Sequence, residues 1–403
     1  AIIMIDTTAL FSSPLFEECT IVPPSFRSWI YAISVHGVCS LIGLIIGILL
    51  YSSKPTTEKK KSTCWTALGV GTLSAISVHI GRSFIESYSP CSEIKFAGPW
   101  LASTFGFATF FKSLNVAFHT YPPGADTNLK TWLIWFISLP EPKFDKEKLG
   151  KINRKECINN ILDFIIKIIV LFITLSILLQ FPSPGSTIIE KISSSSPGND
   201  NWDDVIDNQW LLITHIDGFF HLWLLYLFVS FCLDFSAITN SIAFGGIRME
   251  LGFCHPLSKS RSYKECWGSR WNKPVNELLK RTIYIPSRKN GYNQSISAVF
   301  TFLGSGLLHE YNFSIHNNNN YHPGEVTVFF LLMGLIMIGE SWVWNRCVPQ
   351  WIQTVINSLP SVVIASGIAF AVAGLSERYF LRGWIVSGFI DMVTQMIPHL
   401  TCK

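Results

Sequence analysis

The sequence predicts an all-α, polytopic membrane protein with eight or nine crossings, and three observations carry that prediction. Only 14% of its 403 residues are charged, where soluble proteins carry about 25%. Hydrophobic residues make up 49% and the mean hydropathy is +0.34. Several apolar windows reach the roughly 20 residues that a helix needs to cross a bilayer core. No internal repeat divides the chain, so residues 1–403 are expected to form one membrane-embedded domain.

The windows follow in order. Residues 1–27 are polar to mixed, and 28–52 form the first clear span, which is expected to do the targeting because no basic region, short apolar core and cleavage site precede it. The basic run Lys54-Pro-Thr-Thr-Glu-Lys-Lys-Lys61 then marks the cytosolic side. Windows 64–84 and 97–119 cross back and forth, the second ending at Tyr121-Pro-Pro-Gly124, where proline removes a donor. A piece at 131–139 is too short to cross and reads as interfacial. Lys143, Lys146, Lys148, Lys151, Arg154 and Lys155 make the next cytosolic loop.

Residues 157–181 are the strongest span, with Asp163 and Lys167 at i, i+4 near its start. The loop 182–208 carries Asp200, Asp203, Asp204 and Asp207 and fits the opposite, lumenal side. A span at 209–232 returns to a long basic segment. Nine of the 31 Lys and Arg lie between Lys259 and Lys289, against Glu265 and Glu277, and the Trp and Leu among them point to short interfacial helices. Windows 296–313, 324–345, 352–373 and 383–399 complete the set. The Asn317–Asn320 run reads as a short lumenal loop.

Cysteine and net charge exclude little. The net charge is +4, and the ten Cys are scattered without the close spacing of a zinc or redox motif. A lumenal Cys19–Cys91 disulfide stays open, with nothing in the spacing to support it. The sequons at Asn293 and Asn312 fall on the cytosolic side and against a span, so neither is expected to be glycosylated.

The candidate chemistry centres on 267–310. His309 lies inside an apolar helix, where an ionisable group is costly and is by default a functional hypothesis. A neutral imidazole there can take a proton from an alcohol; the alternative is a structural histidine bonded to a neighbouring helix. Gly304-Ser305-Gly306, just before it, removes bulk and admits another backbone or a substrate. Asn272 could hold the histidine or donate to a developing oxyanion, although asparagine before Lys273-Pro274 is more often a cap. The basic segment suits a phosphate-bearing cosubstrate or anionic headgroups, with Arg270 its best phosphate or structural anchor. His215, Asp217 and His221 suggest a metal cluster or relay, but His215 and His221 share no helix face, and an Asp217–His221 packing pair fits better.

Trp267-Gly-Ser-Arg-Trp-Asn272, Tyr284-Ile-Pro286 and Ser305-Gly-Leu-Leu-His-Glu310, whose histidine follows Asn272 by 37 residues, together resemble the membrane-bound O-acyltransferase superfamily, in its wax synthase branch. The signature core covers 240–312, and the Phe111-Lys112 stretch before a Pro-Gly turn is similar. The resemblance implies a bundle enclosing a reaction chamber in the endoplasmic reticulum membrane. It also implies transfer from acyl-CoA, as cosubstrate and without metal or other cofactor, to a long-chain fatty alcohol, giving a wax ester. His309 matches the catalytic histidine and Asn272 the second signature position, with Trp267, Arg270, Trp271 and Ser305 as substrate-binding neighbours. Cys266 stands where relatives usually have Phe, a change of local packing. The expected partners are acyl-CoA, lipid alcohol and membrane lipids, with no nucleic acid. A sterol or terpenoid acceptor is the alternative within the family. A transporter using Lys112, His215, Asp217 and His309 as a polar path is the alternative outside it.

Overall fold

The computed structural model describes residues 19–53, 60–87, 97–181, 183–185, 202–316, 322–381 and 389–402. The loops at 54–59 and 186–201, the Asn317–Asn320 run and Cys91 lie outside those residues. A strand β1 (Cys19–Val22) leads into α1 (Phe26–Ser52), which starts where the Ser25 hydroxyl accepts the Ser28 N–H. Helices α2 (Lys60–Ser87) and α3 (Ala97–Ala117) follow, then the short α4 (Leu129–Ile137) and a hairpin of β2 (Phe144–Asp145) and β3 (Lys148–Leu149). Next come α5 (Arg154–Gln180), capped by Asn153, and the long α6 (Trp202–Ala243). After a segment of short helical turns, α7 (Lys273–Leu279) precedes α8 (Gln294–His316) and α9 (Glu325–Arg346). The chain closes with α10 (Gln350–Ser358), α11 (Ser361–Ser376), α12 (Phe389–Met396) and β4 (His399–Cys402).

Among the described residues, six helical stretches are long and apolar enough to cross a membrane, five within α1, α2, α5, α6 and α9 and the sixth, Ser361–Tyr379, running just past the end of α11. Their outward faces are apolar: Ile30, Ile33, Leu41 and Ile45 on α1 and Ile158, Ile161, Leu162, Ile165, Ile166 and Ile169 on α5 are all exposed. Contiguous apolar surface of this extent has lipid as its natural solvent. Helix α6 is the axis of the bundle. Leu222, Leu224, Leu225, Tyr226, Leu227 and Phe228 are all buried, so its middle is enclosed, while Leu211, Leu212, Phe235 and Ile242 toward its ends are exposed.

Two backbone pairings fix the topology. The hairpin loop and the start of the basic segment share a ladder, in which Lys143 N–H donates to Arg248 O (2.8 Å), Arg248 N–H to Gly150 O (2.8 Å) and Ile152 N–H to Gly246 O (3.0 Å). Both lie on one side, as their charge implies. At the other side β1 pairs antiparallel with β4, Cys19 opposite Cys402 in register. The two ends of the described chain therefore share a side, which demands an even number of crossings. Helices α3 and α8, which carry polar residues and fall outside those six, bring the crossings among the described residues to eight. Cys19 is disulfide-bonded, consistent with an oxidising compartment on that side.

The structure corrects three expectations. The 131–139 piece is not interfacial: α4 is packed inside the protein, with Trp132 and Trp135 wholly buried and the Trp132 indole N–H donating to Gly47 O (2.9 Å). The 352–373 window is not one helix, because Pro360 separates the amphipathic α10 from the spanning α11. The 383–399 window is no crossing in its described part, since α12 has 8 residues, about 12 Å of helix at 1.5 Å per residue.

Candidate functional site

The basic segment folds into a scaffold that closes on itself. Ser262 caps a three-residue helical turn, and the next residues, Cys266–Arg270, form a π-helical turn, a widened geometry that recurs at functional sites. Two side chains hold the turn from outside. Glu340 of α9 accepts the Tyr263 N–H (2.8 Å) and the Lys264 N–H (3.1 Å), while the Asn276 amide donates to Trp267 O (3.2 Å) and Gly268 O (2.7 Å). Arg270 donates twice to Glu265 Oε1 (2.8 and 2.6 Å) and once to Cys254 O (3.0 Å). Its guanidinium is therefore an anchor, and it lines neither cavity described below. Of the two roles expected of Arg270, the structural anchor is the one these contacts describe.

The charge on Glu265 shapes this scaffold's response to acid. Burial raises its pKa, but the Arg261 backbone N–H and the Arg270 guanidinium outweigh burial and hold the carboxyl below its ordinary 4.5. A carboxyl depressed in the folded state contributes stability above its unfolded pKa and loses it as pH falls through the folded value. Amide exchange across 254–271, corrected for its intrinsic pH dependence, is expected to rise as pH drops below about 4.5. A Glu265→Gln variant should show the raised exchange already at neutral pH.

Asn272 follows directly, with φ 35° and ψ 62°. A non-glycine residue held in the left-handed region costs roughly 1–3 kcal/mol and marks a place where structure over-determines the backbone. It occupies the N-cap position of α7, yet its side chain makes no capping bond, and its buried Oδ1 has no hydrogen-bond partner. The capping role that its neighbours suggested is thus backbone only. Cys266 is no rival as nucleophile, since burial pushes its thiol up to about 12.

Helix α8 brings His309 to the same place because its glycines permit close packing. A Cβ added to Gly306 would lie 2.7 Å from the Thr327 Cα on α9, and one added to Gly304 would run into Ile283 Cδ1. Glu310 turns away and accepts the Gly324 N–H (3.0 Å) and Thr327 N–H (2.9 Å), capping the start of α9. That pinning seats Phe330 flat against the His309 ring, at 4.5 Å between centroids and 4° between planes.

Two cavities meet at this point. The larger, about 530 Å³, is mostly apolar and reaches between α1, α3 and α6 past Trp29, Phe105 and Leu225. The smaller, about 410 Å³, lies toward the basic side and is lined by Lys264, Lys280, Tyr284 and Ser305 among others. Trp267, Trp271, Asn272, Val275, His309 and Phe330 line both. Trp267, Trp271, Asn272, Ser305 and His309, singled out in the sequence, are therefore brought together; Lys264, Lys280 and Phe330 were not singled out. Phe330 lies in an unremarkable Phe-Phe pair, so no local signal marked it.

The remaining polar candidates are occupied elsewhere. Lys112 donates to Trp135 O and Ser138 O, each at 2.6 Å. Asp217 accepts from Ser183 and the Gly185 N–H, each at 2.8 Å, and His221 meets Glu377 at 2.8 Å. The expected Asp217–His221 pair is thus replaced by two separate pairings, while Lys167 does bridge Asp163 (2.9 Å) and adds Asp234 (2.6 Å). His215 bonds Leu211 O within its own helix (2.7 Å). Each of these groups has its own local partner, and Lys112, His215, Asp217 and His221 line neither of the two cavities that meet at His309.

The resemblance to the membrane-bound O-acyltransferases is borne out. Residues 252–332 match the model of the membrane bound O-acyl transferase family. A probable long-chain-alcohol O-fatty-acyltransferase 3 of Arabidopsis thaliana is 35% identical over 138 residues, 32% of this chain and 38% of the relative. A diacylglycerol O-acyltransferase 1-1 of Oryza sativa subsp. japonica is 26% identical over 132 residues, 33% and 20% of the two chains. An acyl-CoA–sterol O-acyltransferase 1 of Arabidopsis thaliana is 34% identical over 74 residues, 17% and 21%. The matched part spans less than half the length of each of these relatives.

Proposed function

We propose that this chain, which carries the membrane bound O-acyl transferase family's segment over residues 252–332, transfers an acyl group from acyl-CoA to a lipid alcohol. The observation that supports it is the junction itself. His309 and Asn272 line both a mostly apolar cavity and a second one with Lys264 and Lys280, both exposed, in its wall. A reaction between a water-borne thioester and a membrane-borne alcohol needs such a meeting point, shielded from bulk water.

In this reading the phosphate-bearing end of acyl-CoA stays at the basic side, where Lys and Arg suit its oxygens. Its thioester reaches His309 through the smaller cavity. The alcohol enters the larger cavity from the bilayer. A ring nitrogen of His309 takes the hydroxyl proton as the alcohol oxygen attacks the thioester carbonyl carbon. The Asn272 amide donates to the oxygen on which negative charge develops. The carbon–sulfur bond then breaks, and the proton passes from imidazole to the leaving thiolate, giving ester and free CoA. The transfer uses no metal and no further cofactor. The acceptor in the first reading is a long-chain fatty alcohol, giving a wax ester, and a sterol is the second. The endoplasmic reticulum membrane, with acyl-CoA on its cytosolic face and an oxidising lumen for the Cys19 disulfide, fits the topology.

Expression in a host lacking its own neutral-lipid acyltransferases, followed by lipid analysis, tests the reading. New wax esters are the expected result and new steryl esters would move the acceptor. Directional flux of a solute without any new ester would replace the enzyme with a transporter.

A further inference from the structure

Two polar side chains of the larger cavity are left without a role by the transfer step. Asn312 lies three residues after His309 on α8, so both occupy one face of the helix. It is 4% exposed, its Oδ1 has no hydrogen-bond partner, and it lines the larger cavity but not the smaller. Ser376, at the end of α11, is 1% exposed, with a hydroxyl oxygen equally without partner, and lines the same cavity.

Both line the larger cavity, whose wall also includes His309. Helix α8 runs from the basic side toward the opposite one, so Asn312 stands about 4.5 Å beyond His309 at 1.5 Å per residue. Helix α11 runs the same way and Ser376 is its last residue. The apolar wall of that cavity includes Trp29, Leu222, Phe329 and Met392. Buried polar atoms are normally bonded and each exception calls for an explanation; at a cavity wall, a polar atom of the occupant supplies one.

We propose that Asn312 and Ser376 form a specificity subsite that binds a second oxygen function of the acceptor, a hydroxyl or ether or ester oxygen several bonds from the hydroxyl that reacts at His309. The proposal rests on the acyl-transfer reading and narrows its acceptor from any long-chain alcohol to one with additional oxygen near the reacting end. A plain fatty alcohol fills the cavity with hydrocarbon and leaves both groups desolvated and unbonded. Sites built to bond a polar group reject analogues lacking it far more strongly than apolar pockets reject a methylene.

The test uses the full chain in detergent with two lipids that share a hexadecyl chain, 1-hexadecanol and 1-O-hexadecylglycerol, as labelled probes. Equilibrium binding and acyl transfer are measured in parallel. The wild type is expected to prefer the glycerol ether by about tenfold or more, and Ser376→Ala and Asn312→Leu are each expected to bring that ratio toward one. Monodispersity and melting temperature check folding, and Ser376→Ala, a small deletion, keeps the test decisive where Asn312→Leu fails to fold. Equal binding of the two lipids by the wild type, or a ratio unchanged in a folded Ser376→Ala, overturns the subsite. A binding preference that depends on both residues, with neither lipid esterified, upholds the subsite and removes the acyl-transfer reading instead.

Discussion

The His309→Ala variant is expected to fold, to retain acyl-CoA and to lose ester formation by a factor of at least about 10²–10⁴, the usual share of a positioned general base. That range corresponds to about 3–5 kcal/mol of barrier. The ring is half-buried and lines both cavities. Removing it costs the stacking on Phe330 as well as the proton acceptor, so a His309→Gln variant, closer in volume and still polar, belongs beside it. A base is indicated if both variants lose transfer while their melting temperatures stay near that of the wild type. Wild-type turnover in either would end the assignment of His309, because a structural histidine predicts lost stability and retained chemistry.

Much of the architecture was legible because bilayer solvation is a strong constraint. Long apolar windows and the sign of the loops located seven of the eight crossings and put the 143–155 and 246–293 segments on one side, where the backbone ladder joins them. What failed did so where averaging or distance hides the cause. A hydropathy window over 352–373 smooths across Pro360, so a break between an interfacial and a spanning helix read as one span. Length alone made 131–139 interfacial, since nothing local says that Trp132 and Trp135 pack into α1 and α3. The β1–β4 pairing joins residues 19–22 to 399–402, and no local pattern announces it. At the site, sequence identified the chemistry-bearing pair but not what holds it. Arg270 reads from the sequence as either a phosphate ligand or a structural anchor, because its partners, Glu265 and the Cys254 carbonyl, become neighbours only when the π-helical turn forms. Asn312 stands three residues from His309, yet its local sequence carries only the mark of a sequon.

Asn272 permits a prediction in which stability and activity move in opposite directions. Its backbone sits at φ 35°, where glycine rests without strain and a side chain does not. If Asn272 were retained merely as a turn residue, Asn272→Gly would be the ideal replacement, relieving strain and leaving function alone. If the carboxamide donates to the developing oxyanion, the same variant loses that donor, at a cost of about 10²–10³ in turnover. The expected result is therefore a folded Asn272→Gly protein at least as stable as the wild type, with kcat reduced by that factor and KM for acyl-CoA little changed, because the interaction strengthens only as charge develops. Asn272→Ala should lose activity comparably and be less stable than the glycine variant, since its Cβ keeps the strain. Measuring melting temperature and initial rates for both variants separates the two roles. Full activity in Asn272→Gly would make the residue a turn and leave His309 to act without it.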